Sequence, residues 1–175
     1  MSAHHTSASS VGQRANNEDA YFATPGLYAV ADGMGGHAAG EVASRIATEQ
    51  FREWSGSIAR FSADGMAEQV IRTCFNACNN RLLDYMRDRP ETSGMGTTLT
   101  AFAINGAVAT IGHVGDSRCY LVRAGRCEQI TRDPNTYPLP KIITEKFTSI
   151  FDWQYTDSKI LDYQSFPGIK FNIAI

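Results

Sequence analysis

Three carboxylates in two short runs are the residues of this chain best suited to chemistry. Glu18 and Asp19 close the run Arg14-Ala15-Asn16-Asn17-Glu18-Asp19, and Asp32 opens Asp32-Gly33-Met34-Gly35-Gly36-His37. Carboxylates are the hard oxygen donors that Mg2+ and Mn2+ take. Such ions supply what hydrolysis of a phosphomonoester needs: charge neutralisation around the phosphoryl oxygens and an activated water. The planar guanidinium of Arg14 suits a phosphate through paired hydrogen bonds. The imidazole of His37 can hand a proton to a leaving alkoxide. Each residue also has an ordinary reading. An Asn-Glu-Asp run is commonly a solvated turn, an Asp-Gly after an apolar strand is commonly a tight turn, and a lone arginine or histidine is commonly surface. His113 reads as a satisfied strand residue. Only the combination is specific.

Strands must carry these carboxylates to one place. Adjacent strand residues point oppositely, so Glu18 and Asp19 can share a site only near a strand end or bulge. Thr6 to Val11 and Asp19 to Ala23 read as short strands, and the apolar run Leu27 to Ala31 as a buried one ending at Asp32. Glu41 to Trp54 reads as a helix with Val42, Ile46 and Phe51 on its apolar face. Met66 to Arg87 is a longer helix, with Val70, Cys74, Ala77, Cys78, Leu82 and Tyr85 on one stripe, Asp64 as cap and Pro90 as stop. Thr97 to Ile104, an Asn105-Gly106 turn and Ala107 to Val114 form a hairpin. Ser117 to Arg123, a turn at Ala124-Gly125 and Cys127 to Ile130 extend it as a meander. Strands, two helices, then strands give an α+β fold.

Hydrophobic residues make up 43% and charged residues 19% of the 175, an ordinary composition for one packed domain. The net charge of −2 offers no bulk attraction to nucleic acid or an anionic membrane. No apolar run reaches the length of a transmembrane helix, and Met1 to Ser10 lacks the apolar core of a signal peptide, so a cytoplasmic location is expected. Cys74, Cys78, Cys119 and Cys127 form no Cys-x-x-Cys pair and read as reduced core thiols.

The chain has two compositions. All 12 arginines lie in residues 1–133 and all four lysines in 134–175, and glycine nearly vanishes after the same point. Residues 134–175 therefore read as a divergent tail of uncertain fold. Glu145 to Gln154 within it fits a helix or a strand equally.

The motifs Arg14 to Asp19, Val30 to His37, Gly94-Met95-Gly96-Thr97-Thr98 and Val114-Gly115-Asp116-Ser117-Arg118, in that order, resemble the N-terminal part of the metal-dependent protein serine/threonine phosphatases (PPM, type 2C), in the bacterial form. The resemblance implies an α-β-β-α sandwich, two antiparallel sheets flanked by helices. It implies a Mn2+ or Mg2+ pair bridged by Asp32, with the Gly33 carbonyl on one ion and Glu18 on the second. It further implies Asp19 orienting a metal-bound water, Arg14 holding substrate phosphate, His37 protonating the leaving group and Asp116 at a third, weaker metal site. Partners would be phosphoproteins, serine/threonine kinases and their substrates among them, in signal transduction. The resemblance stops at Asp133. The family's later metal-binding aspartates, in Ser-Asp-Gly and Asp-Asn motifs, have no counterpart here. The expected fold is thus incomplete and the chain reads as truncated. Residues 1–133 would be the N-terminal part of the phosphatase domain, with impaired hydrolysis.

Two alternatives accompany this reading. One is a catalytically inactive remnant acting as a binding module. The other is a dinucleotide-binding turn, since Gly33, Gly35 and Ala38 after a strand fit G-x-G-x-x-A. Asp32 opposes the latter, because it would put a negative charge beside a pyrophosphate.

Overall fold

The computed structural model describes residues 7–11, 15–36, 39–63, 66–105, 108–123, 126–131, 161–162 and 170–174. Strands β1 (Asp19–Thr24) and β2 (Leu27–Met34) form an antiparallel hairpin closed by Pro25 and Gly26. Helices α1 (Ala39–Ala63) and α2 (Ala67–Asp88) follow, then a 3-10 turn at Pro90–Thr92. The strands β3 (Gly96–Thr97), β4 (Leu99–Asn105), β5 (Val108–Val114), β6 (Arg118–Arg123) and β7 (Arg126–Gln129) come next. Two short strands, β8 (Leu161–Asp162) and β9 (Lys170–Ala174), lie in the tail.

The strands make two antiparallel sheets. One runs β1-β2-β4-β5-β8, with β3 beside the end of β2; the other runs β7-β6-β9. Alternation along β2 and β4 decides the layering. Leu27, Ala29 and Ala31 on β2, with Leu99, Ala101 and Ala103 on β4, face the helices and pack with Phe51, Ile71, Cys74 and Phe75. Tyr28 and Phe102, opposite one another and stacked at 4.7 Å, face the other way and pack with Ile111 of β5 and with Leu121 of the second sheet. Small residues on the helix side let α2 lie directly on the sheet. A β-carbon on Gly112 would come within 2.7 Å of both Ile71 and Phe75.

The described layers are helix pair, sheet, sheet, and the expected α+β class holds. Several local expectations do not. Residues 7–11 form no strand, because no described segment offers them a ladder partner. β2 continues through Asp32 to Met34, since β3 supplies two further pairs at Gly33 and Met34. α1 begins before Glu41 and runs past Trp54, and α2 buries Ile71 and Phe75 besides its expected stripe because it is wedged between α1 and the sheet. The meander is split: β5 and β6 are in different sheets, and the chain changes layer at Gly115 to Ser117. The β4–β5 register pairs Asn105 with Val108 and the β6–β7 register pairs Arg123 with Arg126, while Gly106 and the Ala124-Gly125 turn lie outside the described residues. So do Asp64 and Glu145 to Gln154; Met66 occupies the N-cap of α2 without a side-chain cap bond.

Candidate active site

Asp19 and Asp32 are register partners across the β1–β2 hairpin. The Gly33 N–H donates to the Glu18 carbonyl at 3.0 Å. Since bonded and non-bonded pairs alternate along an antiparallel ladder, Asp19 and Asp32 form a non-bonded pair, the kind with the closest side chains. Both carboxylates therefore leave the same face, with β-carbons about 5 Å apart. Both are half-buried.

Glu18 stands just before β1, so its carboxylate is free of strand alternation. It lies against Gly40 at the start of α1, where a β-carbon would sit 2.6 Å from its Oε1. The partial positive charge of a helix N-terminus favours a carboxylate there. The Asp19 N–H donates to Asn17 Oδ1 at 3.1 Å, and Asn17 Nδ2 donates to Ser9 Oγ at 2.7 Å. These bonds lay residues 9–11 beside the acidic pair. The result is a cavity of about 170 Å3, lined by Glu18, Asp19, Asp32, Asn17 and Ser10 among others.

The structure thus brings Glu18, Asp19 and Asp32 to one cavity. Gly33 is buried behind it, paired with Thr97. Asp116 is exposed at the corner between β5 and β6 and does not line the cavity. Arg14 and His37 lie outside the described residues. Among the described residues, no three His, Cys, Asp or Glu side chains are grouped closely enough to surround one metal ion. Glu18 turns toward α1 while Asp19 and Asp32 face each other, which is why three carboxylates line the cavity without enclosing an ion.

A polar clamp behind Asp32 adds to the residues named from the sequence. The Asp32 N–H donates to Thr98 Oγ1 at 2.9 Å, and the Asp32 carbonyl accepts from the Thr98 N–H at 2.9 Å and from Thr97 Oγ1 at 3.0 Å. Ser117 Oγ lies 2.7 Å from Thr98 Oγ1. The signal was present in Gly96-Thr97-Thr98, which reads as a turn entering a strand until the neighbour of β2 is known.

The profile of the family described as Protein phosphatase 2C matches residues 6–139. The chain belongs to this family. Over 123 residues it is 41% identical to the serine/threonine protein phosphatase PstP of Mycobacterium tuberculosis, covering 69% of this chain and 23% of that protein. The crystal structure of that phosphatase superposes with a TM-score of 0.63 at 41% identity, over 69% of this chain and 49% of the solved one. A second structure, of the PstP catalytic domain with two manganese ions, superposes with a TM-score of 0.56 at 36% identity, over 76% of this chain and 54% of that one. The chain thus spans about half of the family domain as solved. Among the described residues, no helix is long and apolar enough to cross a membrane.

Proposed function

We propose that this chain carries one side of a metal-dependent protein serine/threonine phosphatase site, and that hydrolysis by these 175 residues alone is weak. The observation that carries this reading is the facing pair Asp19 and Asp32, beside Glu18, in a member of the Protein phosphatase 2C family. The PstP domain solved with two manganese ions supports Mn2+ or Mg2+ as the cofactor.

The donors fit such ions in kind but not in number. Asp32, Glu18 and the Gly33 carbonyl offer hard oxygens, and Asp116 would serve a third ion. An ion of this class takes about six oxygens, and among the described residues no three acidic or imidazole side chains are placed to hold one ion together. Bound there, the ions would supply a Lewis acid for the phosphoryl oxygens and an activated water. Asp19 would orient the attacking water by accepting its hydrogen bond. Arg14 would hold the phosphate with its guanidinium, and His37 would protonate the departing serine or threonine oxygen. Substrates would be phosphoproteins of cytoplasmic kinase signalling, a setting in keeping with four free cysteines. Residues 1–133 would form the phosphatase part and 134–175 a tail of separate origin.

The second reading, an inactive remnant that binds without hydrolysing, is favoured by the same shortage of donors. Hydrolysis of an aryl phosphate by the purified chain, with and without Mn2+, beside Asp32→Asn, decides between them. Weak turnover that needs both Mn2+ and Asp32 is the expected result. No turnover from a folded sample makes the remnant reading the better one. Turnover at the rate of a full-length relative would show that the tail or a second chain completes the site.

A further inference from the structure

Asp32 and Thr98 stand opposite each other in one continuous register, between the pairs Val30 with Thr100 and Gly33 with Thr97. An ordinary ladder would send the Asp32 N–H to the Thr98 carbonyl. It goes instead to the Thr98 hydroxyl at 2.9 Å, and the strand is interrupted there, between β3 and β4. The backbone beneath Asp32 is thereby tied to the side chain of Thr98 and not only to its main chain.

The same hydroxyl lies 2.7 Å from Ser117 Oγ, and Ser117 is buried. Gly115 turns the corner with φ +100°, and a β-carbon on it would lie 2.7 Å from the Thr98 methyl. Thr98 therefore holds the Asp32 backbone through its N–H and its hydroxyl, and meets the Gly115-Asp116-Ser117 corner through that hydroxyl and its methyl. The first lies near the end of β2 and the second at the corner where the chain passes from the first sheet to the second.

We propose that Thr98 is a positioning residue, which sets the Asp32 carboxylate through its hydroxyl and ties it to the Asp116 corner through Ser117. The proposal rests on the reading of Asp32 as a metal ligand, and its test separates the two. Thr98→Val keeps the shape and removes the hydroxyl; Thr98→Ser keeps the hydroxyl and removes the methyl. Two readouts are needed on the full chain: amide hydrogen exchange residue by residue, and the affinity for Mn2+ measured from the free-ion electron paramagnetic resonance signal, with Asp32→Asn as control.

In Thr98→Val the Asp32 amide should exchange at least about tenfold faster while Ala101 and Ile111 keep their protection, an opening of one hydrogen bond without the sheet. Mn2+ affinity should fall about tenfold, the lower end for loss of a group that supports a ligand. Thr98→Ser should restore both. An unchanged Asp32 amide in Thr98→Val overturns the proposal. So does faster exchange at Ala101 and Ile111 alike, which would mark a merely structural role, or local opening with unchanged Mn2+ affinity. A wild-type chain that takes up no Mn2+, or an Asp32→Asn variant that binds as well, sinks the metal reading, and the amide result alone then decides whether Thr98 holds Asp32 in place.

Discussion

Gly33 and Gly40 approach so closely that a β-carbon on Gly33 would lie 1.8 Å from the Gly40 carbonyl oxygen. The end of β2 thus rests on the first turn of α1, backbone against backbone, with Glu18 held between them.

Gly33→Ala should cost at least about 3 kcal/mol, the upper range for overpacking, because neither backbone can withdraw. Gly40→Ala should cost less than about 2 kcal/mol, since its β-carbon meets chiefly the Glu18 carboxylate, a side-chain end that can turn aside. Urea midpoints of the two variants check the order. Equal losses would show that the contact yields more readily than its geometry suggests.

Two carboxylates directly opposite on a ladder repel by about 0.2–1 kcal/mol. In the presence of EDTA, Asp19→Asn should therefore raise the stability by about that amount. Added Mn2+ should stabilise the wild type, as any ligand of the folded state does, and stabilise Asp19→Asn less. Thermal unfolding with and without Mn2+ measures both, and identical Mn2+ responses would remove Asp19 from the ion's surroundings.

Phe75 is 1% exposed and meets Phe51 edge-on at 5.7 Å, whereas Arg81 grips both oxygens of Glu53, at 2.8 and 2.9 Å, in largely open solvent. Phe75→Ala should lose about 3–5 kcal/mol. Arg81→Ala should lose under about 1 kcal/mol despite its good geometry, because an exposed ion pair is screened. Chemical denaturation of both variants compares packing with charge within the same helix.

Burial pushes the Cys119 thiol up from its ordinary 9.0 to about 12, and the hydrogen bond with Cys78, followed by burial, raises Cys74 as well. The folded state then keeps a proton that the unfolded chain releases. Stability is complete below pH 9.0 and falls as the pH rises toward 12, at about 1.4 kcal/mol per pH unit for one such group. Urea midpoints between neutral pH and pH 11 should show this decline, and Cys119→Ala should lessen it, leaving the part due to Cys74. With iodoacetamide near neutral pH, exposed Cys127 should react first and alone until the chain unfolds.

Both acidic runs and most elements were legible in the sequence, because apolar spacing and Asp-Gly or Pro punctuation are local signals. What escaped was pairing. The carboxylates of Asp19 and Asp32 could be named as ligands, but only the hairpin turn at Pro25 and Gly26 makes them face each other. Thr98 sits inside an apparently continuous strand, and its role depends on which strand lies alongside. The layer change after Val114 was missed for a similar reason: alternation identifies a strand without saying which sheet will take it. Arg14 and His37, named from motif alone, lie outside the described residues.

The tail strand β9 pairs with β6 from Arg118 opposite Ala174 to Val122 opposite Lys170. That ladder is written in amides and carbonyls, which every residue but proline offers alike. β6 belongs to the arginine-bearing part of the chain and β9 to the lysine-bearing part, yet the bonds between them do not depend on either vocabulary. A sheet edge of this kind accepts a neighbour by conformation rather than by ancestry. One partner strand can therefore be exchanged for another of different side chains while β6 offers the same bonds.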